Sequence, residues 1–124
     1  MVQLLTNLKI IDNSSAIRAK VIKTYNKKKA SLGQVFLVSI QRNLKGSKIR
    51  KGNMLKGVLV RSKEKIKSLV NSTKWDINCM VLVKEAPKKI EWIPVGSRFK
   101  GPISTKLRIM EGMHKVVSVS KRSI

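Results

Sequence analysis

The sequence predicts a mainly β fold, a small five-stranded β-barrel of the OB or SH3-like kind with a short helical C-terminal part. Three observations predict it. Short runs rich in Val, Ile and Leu recur along the chain and are cut apart by Gly, Pro, Asn and Ser. The run from Ala16 alternates apolar and basic residues with period two, as a strand with one wet face does. The length, 124 residues, accommodates one hydrophobic core and is short for two, so residues 1–124 are expected to form a single domain.

The first strand is expected over Leu8 to Ile11, closed by the turn-forming cluster Asp12-Asn13-Ser14-Ser15, where Asp12 closes an Asx turn. From Ala16 to Tyr25 the alternation places Ile17, Ala19 and Val21 on one face and Arg18 and Lys20 on the other, with a bulge at Ile22 and Lys23 where the pattern breaks. Asn26-Lys27-Lys28-Lys29 reads as a charged loop. After Gly33, Val35-Phe36-Leu37-Val38 is apolar on both faces and reads as a central strand. Arg42 to Gly52 reads as a polar connection turning at Gly46 and Gly52. Met54 to Val60 is the next strand. Ile66 to Val70 either lengthens it or begins a ribbon that Asn71-Ser72 would turn. Trp75, Ile77, Cys79, Val81 and Val83 fall on one face of a further strand. Lys84 to Trp92 reads as a loop, and Ser97 to Lys100 as a short extended piece between Pro94-Val95-Gly96 and Gly101-Pro102. Ser104-Thr105 can cap a brief helix through Met110 that Gly112 stops, and Val116 to Val119 is a last short element.

Charge dominates the composition. Lys and Arg number 28 against six acids, a formal charge of +22. A compact domain so charged repels itself and favours a polyanionic partner. Nucleic acid fits, because release of counterions from phosphates would drive binding. An anionic membrane would instead call for an amphipathic basic helix with large apolar anchors. Here the basic residues alternate with β-branched ones, so no membrane partner is expected. No window is apolar enough to span a bilayer, and the N-terminal residues resemble neither a secretory signal nor a transit peptide. Any one basic cluster would pass for a solvated face, but solvated faces normally mix both signs.

The catalytic inventory is thin, and no enzyme activity, metal or cofactor is expected. The single histidine, His114, lies near no Cys, Asp or second His in sequence and is read as exposed or facing RNA. The acids show no spacing that forces two carboxylates together, as a two-metal nuclease would want. Glu64, between Lys63 and Lys65, reads as a local charge partner. Cys79 cannot form an internal disulfide and reads as a buried small hydrophobe. Aromatic residues are few. Tyr25, Phe36, Trp75 and Phe99 suit core or core-edge positions, and Trp92 is the candidate for exposure. Phosphate and shape recognition of folded RNA is therefore expected over stacking on single strands.

Four stretches together resemble the universal large-subunit ribosomal protein L-fourteen family in order and spacing. They are Ile11-Asp12-Asn13-Ser14-Ser15-Ala16 with the basic strand after it, Arg50 to Lys63, Trp75 to Leu82, and Pro94 to Pro102 running on to Leu107-Arg108. The resemblance covers nearly the whole chain. It implies a five-stranded barrel, binding to large-subunit rRNA, and contacts with ribosomal proteins of the L-three and L-nineteen families. It also implies a bridge to small-subunit rRNA through a C-terminal interface segment, about 97–124, and docking of a ribosome silencing factor on the same side. With the basic clusters, it nominates Arg18, Lys20, Lys23, Lys27, Lys28, Lys29, Lys45, Lys48, Arg50, Lys51, Arg61 and Lys63 for rRNA. For the interface with the other subunit or a partner it nominates Ser97, Arg98, Lys100, Arg108 and Lys115.

The chain departs from the family pattern at a few places. The family has Gly where Ser15 stands, an Asp-Gly turn in the Asn71-Ser72 region, and Phe or Tyr where Trp75 stands. The loop from Lys84 to Ile93 is longer than in bacterial members, and the tail from Ser118 is basic. Lys outnumbers Arg 21 to 7, a bias that suits an A+T-rich gene. The expected location is thus a ribosome in the mitochondrial matrix, with the bacterial cytoplasm or a plastid as alternatives. The rival functional reading is a free-standing OB-like single-stranded RNA-binding protein or translation factor, which would show exposed aromatics.

Overall fold

The computed structural model describes residues 2–25, 29–30, 32–45, 49–63, 77–87, 91–104, 107–108, 110 and 112–120. Among the described residues, eight strands and one helix occur in the order β1 (Val2–Gln3), β2 (Asn7–Ile10), β3 (Ala16–Thr24), β4 (Lys29–Ala30), β5 (Val35–Asn43), β6 (Met54–Arg61), β7 (Cys79–Glu85), β8 (Trp92–Pro94) and α1 (His114–Val119). Strands β2, β3, β5, β6 and β7 form a closed barrel. Neighbours pair antiparallel, and a parallel pairing of β2 with β7, Lys9 opposite Cys79 and Ile10 opposite Met80, closes the ring. Closure removes the open edges that a sheet of this size would otherwise present. β8 adds to the outer edge of β7, and β1 pairs with β4 in a separate two-stranded ribbon.

Two apolar clusters hold these elements. The first fills the barrel with Leu8, Ile10, Ala16, Ala19, Val21, Phe36, Val38, Ile40, Leu59, Met80 and Leu82, drawn from all five staves. The second lies outside the barrel wall. There Val58 and Val60 of β6 and Cys79, Val81 and Val83 of β7 pack beneath Phe99, Ile103, Leu107, Met113 and Val116. β6 and β7 are thus buried on both faces. The expected face of Cys79, Val81 and Val83 is present and carries the C-terminal segment. Ile77 does not belong to it, being 44% exposed, and Trp75 lies outside the described residues.

Several expectations need correction. β5 continues through Asn43, so Arg42 belongs to a strand and not to the connection after it. The inward face of β3 is Ala16, Ala19 and Val21; Ile17 is only half-buried. Register shifts between Ala16 and Arg18 and between Arg18 and Ala19 put Ile17 out of phase, while the bulge expected near Ile22 and Lys23 is present between Val21 and Lys23. The loop after Lys84 is a hairpin whose second strand, β8, holds Trp92 half-buried against the outer cluster. Tyr25 is 45% exposed and not in the core. Of the helix expected from Ser104 to Met110, the described end residues Ser104 and Met110 are not helical. Two turn bonds, Leu107 N to Ser104 O and Met110 N to Leu107 O, give only a short 3-10 turn at Leu107 and Arg108. Helix α1 begins after Gly112 instead, because Val116 there reaches the outer cluster. The expectations for Gly46, Glu64, the Ile66–Val70 extension and Asn71-Ser72 lie outside the described residues.

Candidate nucleic-acid interface

Many of the described residues that looked functional in sequence gather in two regions. The first is the barrel wall formed by β2, β3 and β5. Leu8 and Ile10 point inward, which leaves Asn7 and Lys9 exposed on β2. Lys9 stands opposite Arg18 of β3, and Arg18 stands opposite Arg42 of β5. All three are exposed and line an open cleft of about 620 Å³ with Thr6, Asn7, Leu8, Ile17, Lys63, Ile77 and Asn78. Lys63 is placed by its backbone, whose N–H donates to the Asn78 side-chain oxygen at 2.8 Å. Lys9 and Arg42 were not nominated from sequence. Lys9 had a readable signal in its alternation with Leu8 and Ile10. Arg42 did not, because it depends on β5 running past the apolar core of its strand.

The other described rRNA nominees are spread along the same barrel, except Lys29, which lies in the β1–β4 ribbon. Lys45 follows β5, and Arg50 and Lys51 sit in the turn before β6, closed by Gly52 N to Ile40 O at 2.8 Å. All three are exposed. Lys20 is half-buried on β3 between Asn7 and Ser39. Lys23, further along β3, is apart from Arg18; its ammonium lies 5.6 Å from the centre of the Tyr25 ring. Lys29 pairs with Gln3 through the backbone, and Lys27, Lys28 and Lys48 lie outside the described residues. Arg61 has an internal task that the sequence did not reveal. Its Nε donates to Pro102 O at 2.7 Å and its Nη2 to Lys100 O at 2.6 Å, so it straps the C-terminal segment to β6. Gly101, between those carbonyls, has φ +86°, and a Cβ there would come 2.5 Å from Arg61 Nη2. Only glycine combines that backbone with that approach.

The second region is built where the Asp12 turn meets residues 96–100. Asp12 is 3% exposed. Its Oδ1 accepts from Ser14 N at 3.1 Å and from the Ser14 hydroxyl, and its Oδ2 accepts from Leu82 N at 3.1 Å. The expected Asx turn is therefore present, and it also ties the turn to β7. Asn13 does the same for the following segment. Its Oδ1 accepts from Ser97 N at 2.8 Å and Arg98 N at 3.2 Å, and its Nδ2 donates to Ser97 Oγ at 2.9 Å. The backbone adds Asn13 N to Arg98 O at 3.1 Å and Lys100 N to Ile11 O at 2.7 Å. Gly96 packs so closely that a Cβ there would lie 2.8 Å from Asn13 Oδ1. Phe99 turns inward as an anchor at 8% exposure, while Ser97, Arg98 and Lys100 stay exposed. Arg108 is exposed on its short turn. Lys115 is exposed on α1, 3.9 Å from Glu91 Oε2, a separation too long for a strong pair.

These bonds bring the four sequence stretches together. The Ile11–Ala16 turn, the end of β6 at Arg61, β7 at Met80 and Leu82, and the Pro94–Pro102 segment all meet around Asp12, Asn13 and Arg61. The stretches are therefore parts of one locked corner. Burial holds the Cys79 thiol above its ordinary value near 9.0, although nearby Arg61 and Lys9 pull the other way. His114, as expected, is exposed. Among the described residues no three His, Cys, Asp or Glu side chains converge as metal ligands would. A family model described as ribosomal protein L14p/L23e matches residues 1–124, and the chain belongs to that family, as a structural, non-enzymatic component of the large ribosomal subunit.

Proposed function

We propose that the chain binds large-subunit rRNA through the cations of its barrel wall and bridges to small-subunit rRNA through its C-terminal segment. The observation that carries the reading is the charge: the sequence holds 28 Lys and Arg against six acids. Of those acids Asp12 is buried, Glu85 is paired to Lys56 at 2.9 Å and Glu91 lies beside Lys115. Arg18, Lys20, Lys23, Lys45, Arg50, Lys51 and Lys63 are the described candidates for phosphate contact, and Lys27, Lys28, Lys29 and Lys48 complete the set. Arg61 acts chiefly as the strap that presents residues 100–102. Ser97, Arg98, Lys100, Arg108 and Lys115 form the partner face of a single-domain protein, within an interface segment about 97–124. Proteins of the L-three and L-nineteen families are the proposed neighbours, and a ribosome silencing factor the proposed visitor to that face. The proposed setting is the mitochondrial ribosome, which the location of the coding gene tests.

Binding of the full chain to protein-free large-subunit rRNA, measured across salt concentration, tests the RNA reading. Affinity should fall steeply with salt, by a slope of about 0.7–0.9 per phosphate neutralised. An unstructured oligonucleotide should compete poorly. Weak binding insensitive to salt, or preference for the unstructured strand, would overturn the reading.

A further inference from the structure

A row of like charges across neighbouring strands is an arrangement that folding alone disfavours, since directly opposed like charges repel. The chain contains one in Lys9, Arg18 and Arg42, each opposite the next on β2, β3 and β5. Lys63 faces the same cleft, and no carboxylate is among the described residues lining it. The register irregularities on both sides of the Arg18–Arg42 pair are the means of exposure. A bulge re-aims the side chains beside it, and here it leaves Arg18 and Arg42 outward while Ala16, Ala19 and Ile40 stay inside. Two inter-strand steps make the row about 10 Å long. Three cations held at the inter-strand spacing, about 5 Å apart, can each face a separate phosphate of one nucleic-acid strand.

We infer that this cleft is a dedicated site for RNA sugar–phosphate backbone, in which Lys9, Arg18 and Arg42 follow successive phosphates of one strand and Lys63 closes on them from the opposite wall. Half-buried Ile17 and exposed Ile77 give the cleft apolar surface against which a ribose can rest. The site rests on the rRNA reading above but adds two residues, Lys9 and Arg42, and assigns a geometry.

The test compares Arg42→Glu with Lys84→Glu in the full chain. Both variants change the net charge equally. Lys84 is exposed on β7 outside the cleft. Affinity for protein-free large-subunit rRNA should drop about tenfold or more for Arg42→Glu and much less for Lys84→Glu, and Arg42→Gln should lower the salt slope by about one phosphate. A photo-crosslinker placed at position 42 in assembled large subunits should attach to RNA. Circular dichroism confirms that each variant folds. If the wild-type chain binds rRNA but Arg42→Glu is no worse than Lys84→Glu, the cleft is overturned while the rRNA reading stands. Attachment of the crosslinker to a protein also overturns the cleft. If the wild-type chain fails to bind rRNA at all, both fall.

Discussion

Replacing Asp12 by Ala should unfold the corner on which both surfaces depend. The carboxylate is buried and accepts three hydrogen bonds, one of them from the backbone N–H of Leu82 inside the core. Ala leaves that N–H without a partner, at a cost of about 1–3 kcal/mol. The two Ser14 donors are part-buried and can turn to water, so their loss adds about 1 kcal/mol. The expected destabilisation is about 3 kcal/mol. With an unfolding entropy near 2.1 cal/mol/K per residue, a 124-residue chain should lose about 12 °C in Tm. Thermal unfolding followed by tryptophan fluorescence, in salt high enough to screen the +22 charge, measures it. Ser14→Ala serves as the control and should cost under about 1 kcal/mol, since it leaves the bond to Leu82 in place. An Asp12→Ala loss no larger than that of Ser14→Ala would refute the role given to the buried carboxylate.

Four further outcomes follow from local geometry. Ser15 has φ +76°, a left-handed conformation that costs a non-glycine residue about 1–2 kcal/mol, so Ser15→Gly should raise stability by about 0.5–1 kcal/mol in denaturant titration once glycine's greater unfolded-state entropy is deducted. Gly96→Ala should push Asn13 off the Ser97 and Arg98 amides, costing about 1–3 kcal/mol and speeding proteolysis between residues 95 and 101. The Cys79 thiol is held up by burial, so its contribution to stability is complete below its unfolded pKa and is lost as pH rises through the folded one; stability should fall above about pH 9, and less so in Cys79→Ala. At pH 8 a thiol alkylating reagent should label native Cys79 only as fast as the chain opens, and rapid native labelling would contradict its burial.

What the sequence revealed depended on how local the cause was. Asp12 could be read as a turn residue because its bond to Ser14 spans two positions, yet its bond to Leu82 spans 70 and left no local trace. Arg61 looked like one more cation in a basic stretch. Its carbonyl partners lie 39 and 41 residues downstream, and nothing near it in sequence marks them. The outer face of β7 was legible because Cys79, Val81 and Val83 keep a strict period of two. The helix was misplaced because Ser104, a plausible cap, is 2% exposed and its N–H bonds to Val60 O, which holds that stretch against β6. Arg42 was missed for a related reason: β5 outlasts its apolar run by three polar residues, Gln41 to Asn43, kept in the sheet by pairing with β3. For the candidate interface, composition pointed to a polyanion, but only strand register showed which cations share a surface.

The central claim, a structural protein of the large subunit held there by its rRNA contacts, is tested most directly by sedimenting a ribosome-containing lysate on sucrose gradients at low and then high salt. The account predicts that the chain runs with the large subunit and stays there through a moderate salt wash. Recovery only at the top of the gradient at both salts would contradict it.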